Sequence, residues 1–356
     1  MLQNIAYCPI LYTRVAEMKA LFQLPATSKD RMFPVLSARP WPNAKQLSRT
    51  WEKIGEAFGS RRFALDLDPT RRLSSSGKPA AEQFAALFNP ASGYAAYYEA
   101  VEGVPFAIPV IRISEDGITD LEGQARHIER IDRGAVLRLA FTGSVPPLRL
   151  LSAVIERIAD LTIFVDMGWA NDLIARELWA SQIIGQVANI APETELVVAG
   201  SSFPDTFASI GARGTLALAE RSIYSNLVRR HNSVALVYGD WGSTRPPSTL
   251  DVPMRNIPRI DLPLPGQWIF FRQDKSQPSS EDYEDVARRA VGDPDWPRGL
   301  NLWGTYAIES TAQGLPGAIK SPGIAAAARI NIHLHRQAFF GADVVTGDAD
   351  EPFTDD

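Results

Sequence analysis

Short apolar runs alternate with amphipathic stretches along about the first 240 residues of the chain. The runs are rich in β-branched and aromatic residues. They predict eight β-strands, at 6–12, 32–37, 63–67, 106–113, 135–141, 161–165, 195–199 and 233–238. The stretches between them repeat apolar residues at helical spacing. They predict helices at 15–24, 44–58, 82–88, 93–101, 119–131, 148–158, 172–190 and 215–230.

This alternation predicts parallel βαβ units. Runs such as PVIRI, LTIFVD and VALVYGD are apolar along most of their length, as is typical of strands covered by helices. Eight units over about 240 residues match a (β/α)8 barrel. We prefer this barrel to an open doubly wound sheet because no glycine-rich dinucleotide motif follows the first strand. The predicted fold class is therefore α/β, a TIM-like (β/α)8 barrel that spans 1–241.

The pattern changes after Gly239, where proline, tryptophan and arginine become frequent. We predict that 242–312 form an elaboration over the barrel mouth, with a strand at 267–273 and a helix at 280–291. A second, independently folding domain is the alternative. Residues 313–342 are predicted to carry the closing helix of the barrel, at 323–340. Residues 343–356 are predicted to form an acidic, flexible tail.

The composition is that of a globular protein, since 45% of the 356 residues are apolar and 22% are charged. No run approaches the roughly 18 apolar residues of a membrane span, and no secretion signal is visible at the N-terminus. The single cysteine, Cys8, excludes an internal disulfide. We therefore expect a cytoplasmic protein without a membrane partner.

The charge balance argues against indiscriminate coating of nucleic acids, because the net charge is −5. Arginine nevertheless supplies 29 of the 36 basic residues. A GC-rich genome explains this bias, and so does recognition of carboxylates or phosphates, which suit the arginine fork.

Carboxylates follow or end three of the predicted strands. These candidates are Asp66, Asp68, Asp166 and Asp240. In a barrel they would meet at the carboxyl ends of the strands, where they could share Mg²⁺ or Mn²⁺ or divide general acid and base duty. Asp at a strand end also caps helices and closes turns, so a structural role remains the alternative.

Four further residues are candidates for contacts to a substrate: Arg112, Arg138, Ser201 and Trp241. Arg112 and Arg138 lie within apolar strands, where a buried charge must be paired. An ion-pair network with the aspartates explains them as well as an anion site does. The tryptophans of the late segment could stack on bases or sugars, or simply anchor that segment to the barrel. No GxxxxGK[ST], HExxH or GxSxG motif is present.

Several segments together resemble the beta protein family of phage and prophage genomes. They are YCPILYTRVAEMKALFQL at the N-terminus, Phe33–Leu36, Val165–Asp166, Tyr238–Gly242 and Ala328–Asn331. The resemblance covers nearly the whole chain and implies a phage origin. It implies no reaction and no catalytic residues.

Two functions follow from these observations. The favoured one is a phage- or mobile-element-encoded barrel scaffold that binds a protein or nucleic-acid partner, because catalytic motifs are missing. The alternative is a metal-dependent hydrolase of a phosphate ester or nucleotide, built on the strand-end aspartates and the two arginines.

Overall fold

The computed structural model describes residues 1–71, 77–113, 117–171, 173–245, 257–273 and 282–342. The predicted tail at 343–356 lies outside these residues, as do residues 114–116, which follow the fourth predicted strand. Residues 246–256 and 274–281 of the proline-rich segment also lie outside them.

The described residues contain two sheets. Their strands are β1 (Tyr7–Tyr12), β2 (Val35–Ala38), β3 (Phe63–Leu67), β4 (Ala107–Pro109), β5 (Ala135–Ala140), β6 (Leu161–Trp169), β7 (Glu195–Ser201), β8 (Arg213–Ala217), β9 (Leu236–Asp240), β10 (Arg259–Pro263) and β11 (Gln267–Arg272). Eight of them form an all-parallel sheet in the order β4-β3-β2-β1-β9-β7-β6-β5. An isolated parallel bridge between Val110 and Val136 joins its two outer strands. The sheet is therefore a nearly closed barrel, and each of the eight predicted strands corresponds to one of its strands. The fourth, predicted at 106–113, is much shorter and spans only Ala107–Pro109.

Helices flank this barrel. They are α1 (Val15–Phe22), α2 (Ala26–Lys29), α3 (Ser48–Phe58), α4 (Pro79–Ala86), α5 (Ala91–Glu102), α6 (Leu121–Ile131), α7 (Leu148–Arg157), α8 (Ile174–Ile190), α9 (Ala219–Arg230), α10 (Tyr283–Val291), α11 (Trp303–Ala312) and α12 (Pro322–Ala338). The outward side chains of the strands, such as Leu11 and Val165, pack with buried residues of these helices. Among the described residues, no helix combines the length and the apolar character that crossing a bilayer requires.

Strand alternation divides the barrel interior into an apolar and a polar layer. Cys8, Ile10, Val35, Phe164 and Val197 belong to a buried apolar cluster inside the barrel. In or just after five of the strands, β2 to β6, the next inward position toward the carboxyl end is polar. These positions hold Ser37, Asp66, Arg112, Arg138 and Asp166. The polar side chains therefore meet at one end of the barrel, above its apolar core.

One predicted helix is partly wrong. The prediction placed a helix over 215–230, but β8 occupies 213–217 and α9 begins only at Ala219. β8 pairs with β11, which also pairs with β10, and the three form an antiparallel sheet. A short apolar run does not by itself distinguish a strand from a helix, so this pairing decides the conformation.

The antiparallel sheet has an apolar core of its own with α10 and α11. Ile260, Phe271 and Val286 are buried there, and Ala328 and Ile332 of α12 complete the cluster. The strand predicted at 267–273 is confirmed as β11, and the helices predicted at 280–291 and 323–340 correspond to α10 and α12. The placement of this unit as an elaboration over the barrel mouth, and the division between domains, stay predictions.

Gly239 provides a sensitive test of the barrel interior. A Cβ atom at this position would lie 2.5 Å from the carbonyl oxygen of Cys8 and 3.1 Å from Cγ1 of Val197. Because a strand backbone cannot give way as a side chain tip can, we expect Gly239→Ala to lower the free energy of unfolding by about 2 kcal/mol or more. Denaturant-induced unfolding followed by tryptophan fluorescence measures the change.

Gly55→Ala is the matched control for this substitution. Gly55 lies exposed in α3, and an added Cβ would meet no atom within 4 Å. The higher helix propensity of alanine should raise the free energy of unfolding by up to about 1 kcal/mol. Equal behaviour of the two variants would contradict the packing described here.

Candidate functional site

The polar layer of the barrel is a chain of buried ion pairs. Arg112 Nη1 donates to Asp66 Oδ1 at 2.7 Å, and Arg138 Nη1 donates to Asp66 Oδ2 at 2.6 Å. Arg138 also donates to Asp166 Oδ2, from Nε at 3.0 Å and from Nη2 at 2.8 Å. Asp66 therefore bridges two arginines, and Arg138 bridges two aspartates.

The carboxylates of these ion pairs also accept hydrogen bonds from the backbone and from an indole. Asp66 Oδ1 accepts the Leu67 amide, and Asp166 Oδ1 accepts the Gly168 amide at 2.9 Å. Trp241 Nε1 donates to the same Asp166 oxygen at 3.0 Å. The Trp241 ring lies 5.0 Å from the Arg138 guanidinium and stacks on Tyr12 at 5.7 Å. The network thus holds an aromatic pair in place.

The electrostatics favour the charged forms of Asp66 and Arg138. Burial alone would raise the pKa of Asp66, but the guanidinium groups of Arg138 and Arg112 hold that pKa below its ordinary value. Burial would lower the pKa of Arg138, yet Asp166 and Asp66 raise it. A general acid needs a pKa near the working pH. Asp66 is an ion-pair partner and does not meet that requirement.

Two of the four candidate aspartates lie outside this chain of ion pairs. Asp68 is near the same end of the barrel, 3.0 Å from Arg39 Nη2, and accepts the Thr70 hydroxyl at 2.7 Å. Asp240 faces the outside of the barrel. It accepts the Tyr238 hydroxyl at 3.0 Å, a ring nitrogen of His333 at 2.7 Å, and a hydrogen bond from Tyr7.

Strand alternation explains the position of Asp240. Trp241 points into the barrel, so the residue before it points outward to α12. Its position at the end of a strand made Asp240 a candidate in the sequence. That position does not determine whether the side chain points into the barrel or out of it. Ser201 is buried, and its hydroxyl donates to the Thr244 carbonyl at 2.6 Å, which holds the loop after β9.

The carboxylates of the mouth do not fit a divalent metal. Within the described ranges, no group of three or more His, Cys, Asp or Glu residues could hold a metal ion. Mg²⁺ and Mn²⁺ prefer several oxygen ligands with open lone pairs. At Asp66 and Asp166 a cation would first have to displace Arg138.

A cavity of about 540 Å³ opens beside this network. It lies at the carboxyl ends of β1 and β2 and reaches the start of α4. Its lining residues are Thr13, Arg14, Val15, Ala16, Arg39, Pro40, Trp41, Pro42, Asn43, Ala44, Arg71, Lys78, Ala80 and Ala81. Four of them are cationic and none is a carboxylate, so the cavity is electropositive.

Two of the four cations of the cavity have carboxylate partners, since Arg39 Nη2 is 3.0 Å from Asp68 Oδ2 and Arg14 Nη1 is 3.5 Å from Glu17 Oε1. Burial lowers the pKa of Arg39, Asp68 opposes that effect, and the positive charges of Arg14 and Arg71 add to it. Arg39 Nη2 is buried and makes no hydrogen bond to any described residue, although Asp68 is near. Arg71 and Lys78 are exposed and form no ion pair with a carboxylate of the described chain.

Other cations at the same end of the barrel lie on aromatic rings. The guanidinium of Arg245 is 5.4 Å from the Trp169 ring, and that of Arg176 is 4.3 Å from the Phe141 ring. Sequence reasoning missed these residues and the four cations of the cavity, because it searched strand ends for acids. A signal existed, since Arg14 and Arg39 closely follow the first two strands.

A second buried polar cluster lies outside the barrel, near Asp240. Glu220, in the first turn of α9, accepts the Ser202 amide at 3.1 Å and a hydrogen bond from the Ser202 hydroxyl. Burial, with a smaller contribution from Asp240, raises the pKa of Glu220 to about 7, although the Ser202 hydrogen bonds oppose the shift. This carboxyl is buried without a cationic hydrogen-bond partner in the described structure.

Comparison with known proteins adds a relationship over the whole barrel. The sequence model of a family described as "Beta protein" matches residues 7–339. A protein described as "Protein beta", from Enterobacteria phage P4, is 26% identical over 344 residues, which cover 94% of this chain and 93% of the phage protein. No solved structure matches this chain.

Proposed function

This chain belongs to the Beta protein family, and from that premise we propose that it is a scaffold protein that binds a nucleic-acid strand at the barrel mouth. We further propose that the scaffold is a (β/α)8 barrel, that a phage or mobile element encodes it, and that it acts in the cytoplasm. The single observation that carries the binding proposal is the electropositive cavity, whose lining has four cations and no carboxylate.

The chemistry of the mouth suits a single strand better than a protein. Cationic side chains contact phosphates, and aromatic rings stack on bases that are not paired. Trp41 lines the cavity, and Trp169 lies near Arg245 at the same end. The whole chain has a net charge of −5, so the cations of the cavity are a local feature and not part of a generally basic protein. If the oligonucleotide does not bind in the experiment below, a protein partner becomes the favoured alternative.

In this proposal the residues predicted to contact a substrate instead position the groups that bind the strand. Arg138 and Asp166 hold Trp241 through an ion pair and an indole hydrogen bond. Arg112 fixes Asp66, and Ser201 holds the loop that carries Arg245. These side chains position aromatic and cationic groups of the mouth.

Fluorescence anisotropy with a labelled oligothymidylate of about 20 nucleotides tests the proposal. We expect binding that weakens steeply with salt, because each neutralised phosphate of a single strand contributes a slope of about −0.7 in log K against log salt. The double variant Arg71→Gln/Lys78→Gln should bind about tenfold more weakly at low salt and lose about 1.4 of that slope.

The control removes the same charge elsewhere. Arg62 directly precedes β3, at the opposite end of the barrel, and Arg126 is exposed on α6. Arg62→Gln/Arg126→Gln should leave affinity and slope unchanged. Absence of binding at low salt, or an equal loss in both double variants, would overturn the proposal.

The hydrolase alternative has its own measurement. Because Asp66 and Asp166 are bound by arginines, we expect millimolar Mg²⁺ or Mn²⁺ to leave the melting temperature unchanged. A ligand that binds the folded state preferentially would raise it. A rise that Asp166→Asn abolishes would contradict this expectation and favour the metal-dependent hydrolase.

A further inference from the structure

The cavity has more positive charge than an internal phosphate of a strand requires. An internal phosphodiester has one negative charge, whereas a terminal phosphomonoester has nearly two at neutral pH. Arg14, Arg39, Arg71 and Lys78 all line this one space. Arg14 has a weak internal partner, Glu17, whose carboxylate is 3.5 Å away. Arg39 is paired with Asp68 at 3.0 Å. Arg71 and Lys78 form no ion pair with a carboxylate of the described chain, and their two positive charges suit a dianion.

The start of α1 is a further feature of the cavity that points to an anion. Val15 and Ala16, in the first turn of α1, line the space, and no side chain caps that helix start. Free amide groups at a helix start, together with the helix dipole, favour a bound phosphate.

The volume and one wall of the cavity suit a nucleotide. The space of about 540 Å³ lies within the range of small-molecule sites, about 300–1,000 Å³. Trp41 provides an aromatic wall, and Asn43 lines the same side. An indole ring can stack on a base without selecting its sequence.

We propose that this cavity is a binding site for a terminal phosphomonoester of a nucleotide, with Arg39, Arg71 and Lys78 around the phosphate and Trp41 beside the base. The nucleotide is either free or the phosphorylated end of a strand. The inference rests on the proposed function only if the nucleotide is the phosphorylated end of a strand.

The experiment compares ligands that differ by one phosphate. We use the full-length protein, dTMP against thymidine in calorimetric titrations, and an oligothymidylate with a 5′-phosphate, a 3′-phosphate or hydroxyl ends in anisotropy. We expect dTMP to bind and thymidine to bind at least about tenfold more weakly, as is typical of the loss of a charged contact. One of the two phosphorylated strands, with either the 5′- or the 3′-phosphate, should bind about tenfold more tightly than the strand with hydroxyl ends.

Variants locate the effect. Arg71→Gln/Lys78→Gln should abolish the phosphate advantage, whereas Arg62→Gln/Arg126→Gln should retain it. Trp41→Leu should weaken dTMP more than inorganic phosphate. Circular dichroism verifies that each variant is folded, and both residues of the first pair are exposed.

The outcomes separate the two proposals. Hydroxyl-ended strands that bind as tightly as phosphorylated ones, with no binding of dTMP, overturn the inference and leave the proposed function intact. Binding of dTMP with no binding of any strand supports the inference for a free nucleotide and overturns the proposed function. Equal competition by sulfate and dTMP overturns the inference, because it indicates general attraction of anions.

Discussion

Replacement of Arg138 by methionine is expected to lower the free energy of unfolding by about 3–5 kcal/mol at neutral pH. The side chain is only 13% exposed and pairs with both Asp66 and Asp166. Methionine fills similar space but leaves two buried carboxylates with one fewer cation. Removal of one partner from a buried ion pair costs far more than the pair contributes relative to apolar residues, because the other charge remains desolvated.

The loss should depend on pH in a defined direction. Arg138 contributes to the lowered pKa of Asp66. A depressed carboxyl pKa stabilises the fold above the pKa of the unfolded chain, about 3.9, and this stability disappears as pH falls through the folded value. The difference between wild type and Arg138→Met should therefore be largest at neutral pH and shrink below about pH 4.

Denaturant-induced unfolding at two pH values measures this effect. Arg138→Met/Asp166→Asn is the informative partner variant, since it removes one buried charge of each sign and leaves the Asp66–Arg112 pair intact. We expect it to recover part of the loss. A single variant within about 1 kcal/mol of wild type would show that the network does not support the barrel.

Glu220→Gln is expected to stabilise the protein by up to about 3 kcal/mol at about pH 8 and to have little effect at about pH 4, below the pKa of the unfolded chain. Burial raises the pKa of Glu220 from 4.5 to about 7, and each pKa unit corresponds to about 1.4 kcal/mol. Because the folded state holds this proton more tightly than the unfolded chain, stability is present at low pH. It decreases as pH rises through about 7.

Glutamine retains the carbonyl oxygen that can accept the Ser202 hydrogen bonds but never ionises. The free energies of unfolding of wild type and variant, measured from about pH 4 to 8, should diverge as pH rises. Subtraction of the two curves removes other titrating groups, including His335, whose pKa burial lowers to about 4. Glu156→Gln, at an exposed position, is the control. Parallel curves for Glu220→Gln and wild type would refute the assignment.

The short motifs that carry the family resemblance lie in or next to strands of the barrel. The N-terminal YCPILY segment is β1, Val165–Asp166 lies within β6, and Tyr238–Gly242 includes the end of β9. The match to the Beta protein family confirms the relationship. The motifs are recognisable because a barrel strand cannot change its inward and outward residues independently.

The candidate site was less predictable. Asp66, Arg112, Arg138 and Asp166 were identified from charges within or after apolar strands, and they do meet inside the barrel. Asp240 was grouped with them, but it pairs with His333, which is 93 residues away along the chain. The sequence does not indicate which residues so far apart will be in contact, so the pairing of Asp240 with His333 could not be predicted from it.

The sequence by itself determined the local features of this protein. Its apolar periodicity defined eight strands and most helices, because burial of one face is encoded residue by residue. Only the tertiary structure decided which charges neutralise one another. Closure of the sheet brings together Asp66 of β3, Arg138 of β5 and Asp166 of β6, while Arg71 and Lys78 remain beside a cavity whose lining contains no acid. Electrostatic interactions depend on distance through space, and that distance is set by strand order and by the face on which each side chain lies.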